Sequence, residues 1–334
     1  MTRLAKSLLA ALLLSCAAAA QSPPEPASSP RALPADLQPE AAHSLMLDVV
    51  NTGRRLIAVG ERGHILASVD GRRWLQVEAP VRSALTAASF IDENQGWAVG
   101  HDAAILHTRD GGRSWQLQNF QPELEKPLLD VLFLDARRGY AIGAFGLFLM
   151  TDDGGASWTE KRVPIIEADE LNLHSLTRLG NGDLLITGEQ GRLLLSTDEG
   201  RSWSRLESPL AVTVFAAAAY GDSGALICGA RGQAWLSRRP RSGGWHRIDT
   251  GTRAGLYGCV TIDSQHASLV GLDGAVLVAD LAARTVRRYR SVAARSWSAV
   301  ALWQASLVLA GEAGLSLMGP IPTRAPTQTP TPRH

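Results

Sequence analysis

The sequence predicts an all-β protein, a seven-bladed β-propeller with Asp-box turns. Three observations carry that prediction. Short apolar runs end in glycine at Gly60, Gly100, Gly143, Gly188, Gly229, Gly271 and Gly311, with successive positions 40 to 45 residues apart. A second glycine follows three residues later in every repeat but the second, where Ala103 stands. A turn motif of the form [ST]-x-D-x-G-x-[ST]-W recurs at one point of the period. A fixed period of this size marks a repeat architecture, and four short strands per unit, seven units long, is a propeller's arithmetic.

The second repeat shows the unit. Residues 85–91 are apolar and strand-like, 96–100 form a second strand and 104–108 a third, and a turn leads into a fourth at 116–119. Strands at this spacing with turn signals between them indicate a sheet protein. The turn octet 108–115 recurs at 151–158 and 196–203, with a shortened copy at 68–74. Its chemistry is structural. The carboxylates of Asp70, Asp110, Asp153 and Asp198 and the neighbouring hydroxyls are expected to hold turn amides that have no ladder partner. Trp74, Trp115, Trp158 and Trp203 are expected to cover a blade and pack on its neighbour. A calcium loop starting at Asp152 would need an acid where Val163 stands, so no metal site is expected.

Repeats 5 to 7 drift. Repeat 5 replaces the box with Ser237-Arg238-Arg239-Pro240-Arg241-Ser242-Gly243-Gly244-Trp245, repeat 6 keeps Ala279-Asp280-Leu281 before a basic run at 284–290, and repeat 7 stops after its third strand. An open sheet edge invites aggregation, so residues 31–40 are expected to supply the outer strand of blade 7, with Pro34 and Pro39 tolerable at an edge.

The flanks read as targeting and tether. Arg3 and Lys6 precede an apolar stretch at 8–14, too short to span a bilayer, so residues 1–20 read as an export signal. Two cleavage readings stand: after Ala20, or before Cys16 in a lipobox-like Leu13-Leu14-Ser15-Cys16 that would lipidate Cys16. Residues 21–42 are rich in proline, serine and alanine and read as a linker. The propeller is expected over 43–319, and a proline- and threonine-rich tail at 320–334 is expected to be disordered. The mature protein would lie in the periplasm or on the periplasm-facing membrane surface, as a monomer.

Composition narrows the function. The net charge is +1, or −1 without Arg3 and Lys6, and no concentrated basic face of the nucleic-acid type follows from that balance. Cys228 and Cys259 fall in neighbouring repeats. Export permits a disulfide between them, and the alternative is two buried small hydrophobes. No CxxC or Cys/His metal spacing is present, and no cofactor is expected.

The unit resembles the Ycf48/Hcf136-like family, the photosystem II assembly factors and their bacterial relatives. The residues that carry the resemblance are Leu129-Asp130-Val131-Leu132-Phe133 with Gly139-Tyr140-Ala141-Ile142-Gly143, together with 96–115 and 185–203. It covers about 44–317. It implies an exported, non-enzymatic scaffold that binds other proteins, in the photosynthetic members a newly made reaction-centre subunit. The eroded boxes and the Ala/Arg/Leu bias favour a non-photosynthetic envelope protein, and the expected role is that of an envelope assembly or interaction factor whose partner is a membrane or envelope protein.

Asp-boxes also occur in sialidases and other glycoside hydrolases, so a carbohydrate-active enzyme or lectin is the competing reading. The Phe/Tyr-Arg-Ile-Pro motif of sialidases is absent, and Tyr140, Tyr220, Tyr257 and Tyr289 lack a matching Glu or Arg pattern. A glycosidase needs two placed carboxylates, and none stand out.

A partner is expected on the face opposite the Asp-boxes, where the G-x-x-G turns and the inter-blade loops meet. The candidates within those turns are Glu61, Arg62, His101, Glu189, Arg231 and Glu312. Counting back from the period glycines places His43, Arg82, Lys126, Arg253 and Arg295 at the starts of the inner strands, as a cationic ring for an acidic segment. The resemblance implies an arginine-rich patch, for which these five are the candidates. The alternative is that each is solvated or pairs with a local acid. The longest connections, 119–127 and 160–172, would project Glu123, Glu125, Glu167, Asp169 and Glu170 over the same face.

Overall fold

The computed structural model describes residues 31–167, 169–290 and 295–321. The export segment, Cys16 and tail residues 322–334 lie outside the described residues. The described strands form seven separate antiparallel sheets, six of four strands and one of three. Each sheet is a meander whose strands run in sequence order. The innermost strands are Met46–Asn51, Leu85–Phe90, Leu128–Phe133, Leu173–Arg178, Val214–Tyr220, Leu256–Thr261 and Trp297–Trp303. Consecutive inner strands pack side by side, and the first packs on the last, which closes the ring of a seven-bladed propeller.

The period glycines follow from that geometry. In every blade the residue after the period glycine donates its backbone N–H to the carbonyl just ahead of the inner strand, at 2.9–3.1 Å. The acceptors are Leu45, Ala84, Pro127, Asn172, Thr213, Gly255 and Ser296. A Cβ on any of the seven glycines would collide with that same carbonyl oxygen, so only glycine permits the approach. The second glycine of each turn has φ between +66° and +87°, the left-handed region that side chains disfavour. Ala103 adopts φ +48° in the same slot.

Each Asp-box is held as its chemistry dictates. In blade 2 the Thr108 hydroxyl donates to Asp110 Oδ1 at 2.8 Å and accepts the Gly112 amide at 2.9 Å. Asp110 also accepts the Ser114 amide at 2.9 Å and the Ser114 hydroxyl at 2.6 Å. Blades 3 and 4 repeat the set around Asp153 and Asp198. The shortened box of blade 1 keeps Ser68, Asp70 and the amides of Arg72 and Arg73.

The box tryptophans fill the space between blades. Trp115 stands edge-on to Phe90 and joins the core of blades 1 and 2. Trp158 stands against Phe133 and Trp203 against Phe148, while Trp74 packs into the seam between blades 1 and 7. Between blades 2 and 3, Trp97 is sandwiched by Phe133 and His107 at centroid distances of 3.4 and 4.6 Å. Tyr140 occupies the equivalent slot in blade 3, and its hydroxyl donates to the Glu199 carbonyl at 2.7 Å.

Blade 7 departs from the sequence expectation. Residues 31–40 form no strand, and the sheet of blade 7 has three strands among the described residues. The chain there turns instead toward blade 1: the Ala35 amide donates to the Ala79 carbonyl, and the Gln38 amide to the Gln76 side chain. Ala32 and Ala35 pack on the core of blades 1 and 2. Pro34 and Pro39 cannot donate to a ladder, and a short apolar plug satisfies the segment with fewer backbone bonds. Ile321, at the start of the tail, is buried in blade 7 and donates its amide to the Ala305 carbonyl.

Candidate functional site

The seven inner strands share one irregularity. Each carries a β-bulge one residue after its start, so a single extra residue per blade falls out of the ladder. A bulge re-aims the side chain it displaces. The extra residues are Leu47, Thr86, Leu129, His174, Phe215, Tyr257 and Ser298, and all seven line one cavity of about 190 Å³ at the G-x-x-G end of the central channel. His174, Phe215 and Tyr257 form a continuous edge-to-face aromatic run across blades 4, 5 and 6. Its centroid distances are 5.2 and 4.8 Å. Burial lowers the His174 pKa below the ordinary imidazole value, so the ring is neutral at pH 7.

Two carboxylates, Asp48 and Asp130, also line this cavity, and the blades use them as ties. Asp48 accepts the Val49 amide and, across the blade boundary, the Ala88 amide at 2.9 Å. Asp130 does the same with Val131 and with Leu176, the latter at 2.7 Å. Burial raises the pKa of both, and the charge of Asp48 adds to the shift at Asp130, which reaches about 7. Thr86 ties blade 2 to blade 3 through the Leu128 carbonyl, and Thr177 ties blade 4 to blade 5 through the Ala217 carbonyl.

Sequence similarity points the same way as the architecture. A family model described as photosynthesis system II assembly factor YCF48 matches residues 66–126 and 116–213. The photosystem II assembly protein Ycf48 of Thermosynechococcus vestitus is 35% identical over 51 residues, which is 15% of each chain. The photosystem II stability/assembly factor HCF136 of Cyanidioschyzon merolae is 36% identical over 76 residues, 21% of this chain and 17% of that one. Over residues 66–213 the chain is Ycf48-like. The matched stretches span less than a fifth of these curated relatives. A solved structure of YCF48 bound to a D1 peptide superposes with a TM-score of 0.68 and 18% identity, covering 86% of this chain and 98% of that one. That likeness carries the propeller fold.

The structure distributes the sequence-predicted site residues unevenly. Glu61, Glu189 and Glu312 each turn back to accept the amide at the start of their own inner strand, from Leu45, Asn172 and Ser296. They serve the turn. Arg62, His101 and Arg231 are exposed on it. Of the five ring candidates, His43 lies 3.6 Å from Glu40, with both side chains largely exposed. Arg82 donates to the Pro34 carbonyl and to Asp36, both on the segment that plugs blade 1. Lys126 is half-buried, and Arg253 and Arg295 are exposed. No hydrogen bond or ion pair among the described residues joins any two of the five. The connection at 160–172 is likewise engaged, because Asp169 pairs with the buried guanidinium of Arg192.

The bulge ring itself escaped the sequence reading. Its members share no residue type, so no motif marks them. A faint signal existed in the repeated Leu47-Asp48-Val49 and Leu129-Asp130-Val131, where a lone acid interrupts an apolar inner strand.

Proposed function

We propose that this protein is an exported, non-enzymatic scaffold that holds a segment of a membrane or envelope protein at the channel mouth on the G-x-x-G face. The observation that carries this reading is the bulge ring. Seven side chains converge on a cavity sized for one or two residues of a chain, with an aromatic arc on one side, Leu47, Thr86 and Leu129 on the other, and Asp48 and Asp130 also in the lining. Aromatic side chains fixed by packing are the usual anchors of protein interfaces. The YCF48 structure with a D1 peptide supports a protein partner for a chain of this kind. Arg62, Arg231, Arg253 and Arg295, exposed on the same turns and loops, favour an acidic or carboxylate-bearing segment. The export signal and Cys16 would hold the propeller at the periplasmic membrane surface, as a monomer.

The test is a photo-crosslinking amino acid placed at Ser298, used in intact cells. A discrete protein adduct that disappears with Phe215→Ala plus Tyr257→Ala, and weakens with Arg253→Ala plus Arg295→Ala, supports the reading. Absence of any adduct, or turnover of a fluorogenic glycoside by the purified protein, overturns it.

A further inference from the structure

The Asp-box of blade 5 has been inverted in charge. Ser237 ends the third strand of blade 5 (Ala234–Ser237), as Thr108, Thr151 and Ser196 end theirs. Its register against the second strand is equivalent: Ala225 faces Ser237 as Gly96 faces Thr108. Two residues on, the Arg239 amide donates to the Ser237 hydroxyl at 3.1 Å, as the amides of Asp110, Asp153 and Asp198 do to theirs. Arg239 therefore stands where four other blades, blade 1 with Asp70 included, place the box carboxylate. With no carboxylate to gather the turn, the Ser237 hydroxyl closes it by donating to the Gly243 carbonyl at 2.7 Å.

The result is a cavity of about 570 Å³ between this turn and the outer hairpin of blade 6. Its polar lining is cationic or hydrogen-bonding: Arg238, Arg239, Arg284, His246, Ser242 and the backbone at Gly244. No acid lines it. The nearest acids in sequence are committed elsewhere, Asp280 to the amides of Ala282 and Ala283 and Asp249 to that of Gly251. Arg238 is held over the Tyr220 ring at 5.7 Å. Arg239 and Arg284 make no ion pair with a described residue. A Cβ built at Gly243 or Gly244 would meet nothing, so the backbone there is open to a ligand. Arg287 and Arg288, exposed on the outer strand of blade 6, extend the positive field.

We propose that this cavity binds a phosphoryl group. Three guanidinium groups approaching from two blades, with a hydroxyl and open backbone beside them, offer more donors than the two oxygens of a carboxylate accept. A phosphate monoester presents three acceptor oxygens and matches arginine's forked donors. The source is a soluble phosphate monoester or the monoester headgroup of phosphatidic acid. The site lies on the Asp-box face and does not depend on the channel-mouth reading.

The experiment uses the purified protein with two probes: glycerol phosphate in solution, and vesicles of phosphatidylcholine with and without phosphatidic acid. Binding is read by calorimetry for the first and by vesicle sedimentation for the second. Arg239→Asp restores the box residue that blades 2, 3 and 4 fold around, and Arg284→Ala is the second variant. Melting temperature confirms that both are folded. The expected result is binding of at least one probe by the parent and a loss of about tenfold or more in both variants. Glycerol phosphate alone identifies a soluble ester, and phosphatidic acid vesicles alone identify a headgroup. No binding of either probe, equal binding by Arg239→Asp, or binding of an acidic peptide in preference to both probes would overturn the proposal.

Discussion

The Asp130 carboxylate of blade 3 accepts the Leu176 amide of blade 4 at 2.7 Å, and so joins two neighbouring blades through one side chain. The inner strands of these blades are separate sheets, so this bond does work that no ladder performs. Removing it as Asp130→Ala orphans a buried amide, at a cost of about 1–3 kcal/mol. The melting temperature should fall by several degrees. Unchanged melting would show that the tie is dispensable.

The same residue sets a pH dependence. Burial and the charge of Asp48 raise Asp130 from 3.8 to about 7. Between those values the folded protein keeps a proton that the unfolded chain has released, so this group's contribution to stability declines as pH rises from about 4 to about 7. Carboxyl-carbon NMR titration should find one aspartate titrating near neutrality, assigned to residue 130 by its absence in Asp130→Ala. A full set of aspartates titrating below 4 would contradict the assignment.

The Asp-boxes act in the opposite direction. Burial opposes the ionised form of Asp110, yet the Ser114 hydroxyl and amide and the Thr108 hydroxyl hold it at about 2. Asp153 and Asp198 reach about 2 chiefly through Ser157 and Ser202. Their folded pKa values lie below the unfolded one, so their stabilisation is complete above about pH 4 and is lost as pH falls toward 2. Asp110→Ala should cost about 1–2 kcal/mol at pH 7, because the bonds are charge-assisted but partly solvated. The same variant compared at pH 2 should differ little from the parent in denaturant midpoint.

His107 gives an acid-side dependence of its own. Burial against Trp97, with Arg109 nearby, lowers it to about 4. The unfolded chain takes up a proton near pH 6.5 that the folded protein refuses, so stability falls as pH drops from about 6.5 to about 4. His107→Phe keeps a ring in the Trp97 stack and removes a buried nitrogen, Nε2, that has no partner. The variant should gain on the parent between pH 7 and pH 5. A constant difference across that range would remove His107 as the cause.

Arg82 pins the plug segment. Its side chain and that of Asp36 are 52% and 65% exposed, so Arg82→Ala should change global stability by less than about 1 kcal/mol. Local protection should respond instead: amide exchange at Ala35 and Gln38 should accelerate while that of the blade 1 inner strand stays fixed. Equal exchange in both proteins would mean that the Ala79 and Gln76 bonds hold the segment alone.

Cys228 and Cys259 are free thiols that meet across blades 5 and 6. The Cys259 side chain, followed by burial, raises the Cys228 pKa well above its usual value, so Cys228 is a poor nucleophile in the folded state. Alkylation before denaturation should label Cys259, which borders the channel cavity, ahead of Cys228. A disulfide-linked peptide under non-reducing conditions would contradict the free pair.

What could be read along the chain was whatever each blade must repeat. The period glycines answer to a carbonyl that approaches in all seven blades, and the box residues answer to a turn whose amides have no ladder. Both constraints are local, recur at a fixed spacing, and admit few residue types, so blade number, strand order and the identity of the two faces were legible in residues such as Gly100, Asp110 and Trp115. The channel ring was not, because a bulge accepts any side chain and His174, Phe215 and Tyr257 meet only when three separate sheets are placed around one axis. The need to cover an edge predicts residues 31–40 in blade 7, whereas they pack against blade 1, where Arg82 and Ala79 offer partners nearly fifty positions along the chain. The inverted box of blade 5 lies between these cases. Its arginines are visible in the sequence as a lapse from the pattern, while the cavity they line forms only where that turn meets the hairpin of blade 6.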